Sequence, residues 1–257
     1  HASAEEIHEF EEMAKSKAFD SLRGSAIETA ETLQQLALEG FNLKESGEAV
    51  DATLNLMRIS MMDSRQAAGL VHDTLAQFGM QASQSGEIVD KFAFAMREFK
   101  FRAEELQPAM SGLAAGAHLT GSSFDDVLIG VGLLKQVFPS ASKAAGSMNV
   151  ALQQLAGTHT QQELRGIGVA VKDTQGKMKP LLEIIQDLSV KTAKMSDATL
   201  AHRLATIGSS RAAGGLITII DALRKGVTDS SGKVLTGAAA LEYYRKQLND
   251  TQGTAKR

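Results

Sequence analysis

Carboxylates are the most plentiful reactive groups in this sequence: 30 Asp and Glu stand against six His and no Cys. Paired carboxylates can hydrolyse a glycoside when they face each other roughly 5–9 Å apart across a cleft. Their placement argues against that use. Glu48, Glu87, Glu104, Glu105, Asp125 and Asp126 fall near the starts of expected helices, where negative charge complements the helix macrodipole. No two histidines share one helix at metal-ligand spacing, so His72, His118 and His202 read as partly buried or surface residues. The run His8-Glu-Phe-Glu-Glu12 lacks the second His of a zinc-protease helix. Without cysteine there is no disulfide framework, no thiolate zinc site and no thiol nucleophile. Gly130-Val-Gly132 has neither the spacing nor the preceding strand of a phosphate loop, and reads as mid-helix. The expectation is that no residue is catalytic, metal-binding or cofactor-binding, that no cofactor is used, and that the chain is not an enzyme.

The bulk properties fit that reading. The formal net charge of −3 provides no long-range attraction to nucleic acid, so no specific nucleic-acid binding is expected. The opening HASAEEIHEF has neither the basic nor the apolar region of a secretion signal. Apolar runs such as Val127–Leu134 are far short of the ~20 residues that span a bilayer. Ala, Leu, Met, Gln and Glu dominate, and these are helix formers. With 23 Gly and 3 Pro, the chain reads as many short helices joined by glycine turns.

The elements follow from apolar residues at 3/4 spacing. Ile27, Ala30, Leu33, Leu36 and Ala37 define a helix closed by Gly40, and Val50, Leu54 and Met57 a second, with Ser46 placed to cap it. Asp63 and Gln66 form a capping pair ahead of Leu70, Leu75 and Phe78. Ser85, Ala103, Ser123 and the Thr160–Glu163 pair mark later starts, with Ser196 and Thr236-Gly237 weaker ones. An internal echo is visible. GFNLKESGEAVDATLNLM (40–57) and GMQASQSGEIVDKFAFAM (79–96) agree at seven positions with a constant shift of 39, a period that fits a helix-pair repeat. GAHLTGSSFDDVLIGVGLL (116–134) looks like a degenerate third copy. Gly112-x-x-x-Gly116 reads as close helix packing.

One passage breaks the helical pattern. In VKDTQGKMKPLLEII (171–185), Asp173 and Gly176 have the spacing of a tight turn, and Pro180 opens a new helix. The passage reads as strand, turn, strand, helix, packed through Val169, Val171 and Met178. Val227–Val234 repeats the Asp-x-x-Gly-Lys turn. The predicted fold is mainly α: a multi-helical array of helix hairpins with one small β-hairpin near residues 168–179. A candidate interaction surface comprises Met61 and Met62, clustered with Met57 and Ile59, and Phe94, Phe99 and Phe101. Phe92 and Phe94 cannot share one helix face, so one of these aromatics is expected at the surface.

These blocks together resemble the core region of phage tail tape measure proteins, the minor-tail domain of long-tailed phages and prophages. ETLQQLALEGFN (31–42) is similar to the family's Leu-Ala-x-x-Gly-Phe helix end, and LVHDTLAQFGM (70–80) to its Ala-x-Asp-x-Leu-x-x-Phe-Gly-Leu block. The Glu104-Glu-Leu106 block with the helices to Leu155 is a third match. RGIGVAVKDTQGKMKPLLEIIQDL (165–188) is the most specific. Ile207-Gly208 with Arg211-Ala212 follows where the family has Ile-Phe-Gly. Departures lie at Phe99, Phe101 and Arg102, ahead of Glu104 where the family caps with Ser or Thr, and at Pro108, tolerated only in a first helical turn.

The resemblance covers about residues 20–225. It implies a non-enzymatic structural module acting in tail assembly and tail-length determination, resident in the virion tail-tube lumen and in the host bacterial cytoplasm during assembly. The partners it implies are other copies, as a trimer or hexamer, and tail tube, tail-tip and assembly chaperone proteins. The alternative is a membrane-active module aiding DNA ejection, with membrane contact at that step. The expected division is a helical leader at 1–20, the core at 21–225, and a hairpin plus the start of a C-terminal helix at 226–257. Residues 250–257 read as the beginning of a further helix, so the chain is expected to continue.

Overall fold

A computed structural model of the chain describes residues 8–9, 11–13, 15–16, 26–207 and 210–251. Most of the expected leader, Gly208 and residues 252–257 lie outside the described residues. The protein is mainly α-helical. Its chain forms two compact units, one of the residues up to Glu98 with 102–107 and Thr251, the other of 99–101 and 108–250.

The first unit is built from helix hairpins. Helix α1 (Ala26–Leu38) buries Thr29, Thr32, Leu33 and Leu36. It ends at Gly40, whose φ of 107° lets the Phe41 N–H turn back to the Leu36 carbonyl at 3.1 Å. Helix α2 (Leu43–Ser60) is capped by Asn42, not by Ser46: Asn42 Oδ1 accepts the Glu45 N–H at 3.0 Å, and Glu45 accepts the Asn42 N–H at 2.9 Å. Ser46 lies one turn inside, fully buried, its Oγ without a hydrogen-bond partner among the described residues. A buried orphan hydroxyl is a cost that alanine does not carry, and alanine is also the better helix former. Ser46→Ala is therefore expected to stabilise the unit by about 1 kcal/mol. The urea midpoint reads this, and a lowered midpoint would show that the hydroxyl contributes.

Helix α3 (Ser64–Phe78) starts at the Asp63–Gln66 capping box that its sequence announces, with N···O distances of 2.8 and 3.4 Å. It closes at Gly79, φ 63°, with Met80 N–H on the Leu75 carbonyl at 2.8 Å. A 3-10 turn (Ala82–Gln84) then enters α4 (Ser85–Glu98). α2 packs against α1, α3 and α4.

The shift of 39 is visible in the backbone as well as the sequence. Gly40 and Gly79 both have positive φ and both close helices through the same six-residue back-bond. Gln81 repeats Asn42, its N–H bonded by Gln84 Oε1 at 3.0 Å as Asn42 is by Glu45. Ser46 and Ser85 are both fully buried, as are Val50 and Val89. Met61 and Lys100, again 39 apart, are the two non-glycine residues with positive φ among those described, at 58° and 56°. The α1–α2 and α3–α4 segments are two copies of one helix hairpin.

Helix α5 (Ala103–Ser111) carries Pro108 inside it, beyond the first turn to which sequence reasoning confined it. The helix ends three residues later, and the side chain of Glu105 holds its first turn by accepting the Arg102 N–H at 3.0 Å.

The second unit is organised on one helix. It comprises α6 (Ala114–Thr120), α7 (Phe124–Lys135), α8 (Ala141–Ala156), α9 (Thr158–Gly166), α10 (Leu181–Lys191), α11 (Asp197–Ile207), α12 (Ser210–Lys225) and α13 (Ala238–Asn249). α8 packs against α6, α7, α9 and α12. Three glycines make the approach close enough: a Cβ at Gly116 would lie 2.8 Å from Leu152 Cβ, at Gly130 2.3 Å from Met148 Cε, and at Gly215 2.6 Å from Ser147 Oγ. Ser123 caps α7 as expected, accepting the Asp126 N–H at 3.1 Å. The Thr160–Glu163 pair does not cap α9, which begins at Thr158 and leaves Thr160 buried inside it. Ser196 caps α11 through the Thr199 N–H at 3.2 Å.

Two hairpins interrupt the helices, and they are built alike. In the first, Lys172 and Met178 form a single antiparallel bridge. In the second, β1 (Val227–Thr228) pairs with β2 (Val234–Leu235) through two residue pairs, the one sheet among the described residues. In the first hairpin the Lys179 N–H reaches the Val171 carbonyl at 2.9 Å next to the single bridge, and Pro180 then stands where the second hairpin has Thr236.

Candidate functional site

The Asp173 turn is held by its own side chain. Asp173 Oδ1 accepts the N–H groups of Gln175 and Lys177, both at 2.9 Å, and the Gly176 N–H reaches the Asp173 carbonyl at 3.1 Å. Gly176 has φ 82°, a conformation that costs a β-branched residue about 1–3 kcal/mol. A Cβ there would meet no atom within 4 Å, so strain is the sole penalty. Gly176→Val is expected to lower stability by about 1–3 kcal/mol, read as a fall in Tm, and an unchanged Tm would refute the strain argument. The Asp229 turn repeats the arrangement: its Oδ1 accepts the Ser231 and Lys233 N–H groups at 2.9 and 3.0 Å, and Gly232 has φ 83°. The Ser231 hydroxyl also donates to Oδ1, at 2.6 Å, and it first, with those N–H groups, holds the Asp229 carboxyl below its ordinary range.

The first hairpin is anchored at both arms. Val169 and Val171 are buried, and Gln161 Nε2 donates to the carbonyls of Leu155 and Ala156 at 3.0 and 3.1 Å beside Met178. Pro180 occupies the N-cap position of α10 rather than its first turn, and its carbonyl accepts the Ile184 N–H at 3.1 Å. Lys179 bridges to Glu183 at 2.6 Å and Asp187 at 3.3 Å along α10. These carboxylates raise the Lys179 ammonium above its ordinary value, Glu183 most.

A cleft of about 340 Å³ opens beside this hairpin, bounded by Gly121, Ser123, Asp126, Asp173, Lys177 to Pro180, and Glu183. Its buried charge is Asp126, whose side chain is 6% exposed and whose Oδ1 accepts from Arg245 Nη2 at 3.1 Å. Burial pushes the Asp126 carboxyl up, and the Arg245 guanidinium opposes that without cancelling it. Sequence reasoning took Asp126 for a helix-start acid alone and missed its cation 119 residues away. No local signal connects the two. Glu48 also differs from expectation: it sits in the second turn of α2, the first-turn acid being Glu45. Among the described residues no group of three His, Cys, Asp or Glu is placed to hold a metal ion.

The expected interaction surface divides sharply. Met61 is 95% exposed and Met62 half-buried, whereas Phe94, Phe99 and Phe101 are buried at 1, 4 and 4% exposure. Phe92 and Phe94 are buried together, because α4 packs on neighbours on more than one side. Phe99 lies against Tyr244 and Phe101, with ring centroids 5.3 and 6.4 Å apart. Gly130 and Gly132 are mid-helix, as the sequence indicated, and both are buried.

A family model described as phage-related minor tail protein matches residues 9–209. The chain belongs to that family. The minor tail module is also 27% identical over 228 residues to a tape measure protein of Pneumococcus phage Dp-1, a match covering 88% of this chain and 20% of that protein. The chain thus spans about one fifth of the length of that relative. No solved structure matches it. The turn of Asp173, Gly176 and Pro180 lies inside the matched region, as do both copies of the helix hairpin.

Proposed function

We propose that this minor tail module is a non-catalytic structural part of a tape measure protein, acting in tail assembly and length determination. The match over residues 9–209 carries the reading. The fold supports it: the described side chains go into helix caps, hairpin turns and close glycine crossings. At about 1.5 Å per residue only an extended helix serves as a ruler, and these short, folded-back helices make two compact units. Its place is the tail-tube lumen, after assembly in the host cytoplasm, alongside other copies in a trimer or hexamer and against tail-tube, tail-tip and chaperone proteins. The alternative role at ejection draws less support. Gly116 of the Gly-x-x-x-Gly pattern is committed to the folded unit by its 2.7 Å bond to Asn149. No helix among the described residues is long and apolar enough to cross a membrane.

The test is electron microscopy of particles whose tape measure gene lacks residues 22–225 in frame. Absent or misassembled tails are the expected result. Tails of normal form that fail to infect would overturn it in favour of the ejection reading.

A further inference from the structure

The formal net charge of −3 hides an uneven distribution. Residues 1–98, in the first unit, carry 17 Asp and Glu against eight Lys and Arg. Residues 108–250, in the second unit, carry 11 against 15. The two units therefore have opposite net charge, and each has its own long-range field.

The positive charge of the second unit is concentrated where α9, the first hairpin and α10 meet. Several acids there are already engaged. Asp173 closes its turn, and Glu183 and Asp187 pair with Lys179. Arg165, Lys172, Lys191 and Lys194 are exposed and make no ion pair among the described residues. Three elements bring them together. Lys172 is the cross-strand neighbour of Met178 and so shares its side of the hairpin. That side lies on α9, with Met178 Sδ 3.9 Å from Gln161 Nε2, and Arg165 stands one helical turn beyond Gln161. A Cβ at Gly168, just past α9, would lie 3.6 Å from Lys191 Cε, which carries the end of α10 and the turn with Lys194 to the same junction. Like charges gathered this way repel one another, and the fold gains nothing from their proximity.

We infer that this basic junction of Arg165, Lys172, Lys191 and Lys194 binds the acidic first unit of a second copy of the chain. Charge complementarity selects the occupant. A polyanion attracted to the junction would be repelled by residues 1–98 of the same chain, whereas another copy brings the matching charge with it. Junction against junction repels, as does first unit against first unit. The contact is therefore head-to-tail, the kind that closes into a ring when its rotation permits. The inference rests on the proposal above that copies lie alongside one another.

The test is sedimentation velocity of the whole chain and of a variant carrying Arg165→Gln, Lys172→Gln and Lys191→Gln. At about 50 mM salt the parent is expected to form oligomers, and its association should weaken at least about tenfold by about 500 mM. The variant should be monomeric at both salt concentrations, yet join the parent at the lower one, because its first unit is unchanged. If circular dichroism shows the triple variant unfolded, Arg165→Gln and Lys191→Gln are read singly. A parent that is monomeric at low salt, oligomers indifferent to salt, or a variant that associates as the parent does would overturn the inference. A variant that fails to join the parent would overturn the head-to-tail contact. Binding of a duplex of about 20 base pairs by the parent and not the variant, without oligomers, would overturn the stated occupant. Particles lacking the module test the tail reading by themselves, so a monomeric chain here with absent tails there refutes this inference alone.

Discussion

Gly132→Val is expected to lose about 3 kcal/mol of stability, among the larger effects of any single substitution in this chain. A Cβ at Gly132 would stand 2.2 Å from Phe99 Cδ2 and 2.4 Å from both Cε2 and Cγ. Contact with Cγ as well as the ring edge means that no rotation of the ring relieves it; the whole side chain must retreat. Phe99 is 4% exposed and backed by Tyr244 and Phe101, so it has nowhere to go. In a chain of this size about 3 kcal/mol corresponds to a Tm lowered by roughly 6–12 °C. Gly132→Ala gains about 1 kcal/mol of helix propensity and should lose less. Trimming the neighbour with Phe99→Leu is expected to be less harmful in the Gly132→Ala background than in the parent, a coupling that a double-mutant cycle reads. Additive losses would mean that glycine is present for some reason other than the ring.

The second large effect is electrostatic. Arg245→Met leaves the Asp126 carboxylate buried without its cation, expected to cost about 3 kcal/mol near neutral pH. That is the lower end of the range for broken buried pairs, because the Arg245 side chain is itself 32% exposed. The pH dependence has a definite sign. Burial already places the Asp126 carboxyl above its ordinary 3.8, and Arg245 is what lowers it. Without Arg245 it rises further. An acid with a raised native pKa binds its proton more tightly folded than unfolded, so stability is lost as pH rises from the ordinary value through the raised one. The Arg245→Met deficit should therefore shrink as pH falls from neutral toward the ordinary carboxylate range, against the usual trend for paired acids. Adding Asp126→Asn should recover much of the loss, since the buried charge is then gone. Urea midpoints across that pH range decide it. A deficit independent of pH and not rescued by Asn would assign Arg245 a packing role.

How far the sequence could be read depends on the range of the interaction. The Asp63–Gln66 box and the Ser123 cap were legible because a cap is a bond between residues three apart. Asp173 and Gly176 were legible for the same reason: the turn closes through its own carboxylate. Even there local rules had competitors. Ser46 has the right type for a cap, but Asn42 four residues earlier takes the role with Glu45 as its partner. Thr160 and Glu163 have the spacing of a box, yet the helix was already under way at Thr158. Propensity ranks the candidates for a helix start, and packing chooses among them.

By itself the sequence determined the helices, most of their ends, the two carboxylate-closed turns and a duplication at a shift of 39. These rest on hydrogen bonds and apolar periodicity within a few residues, where residue type is nearly sufficient. The tertiary structure alone decided which faces stay open. Periodicity shows that Phe92 and Phe94 point to different sides of α4, but not how many neighbours that helix has, and so both are buried. It places Asp126 in the first turn of α7, but not Arg245 beside it. It gives Met61 and Phe101 equal claim to the surface, and leaves to the packed chain the choice that exposes one and buries the other.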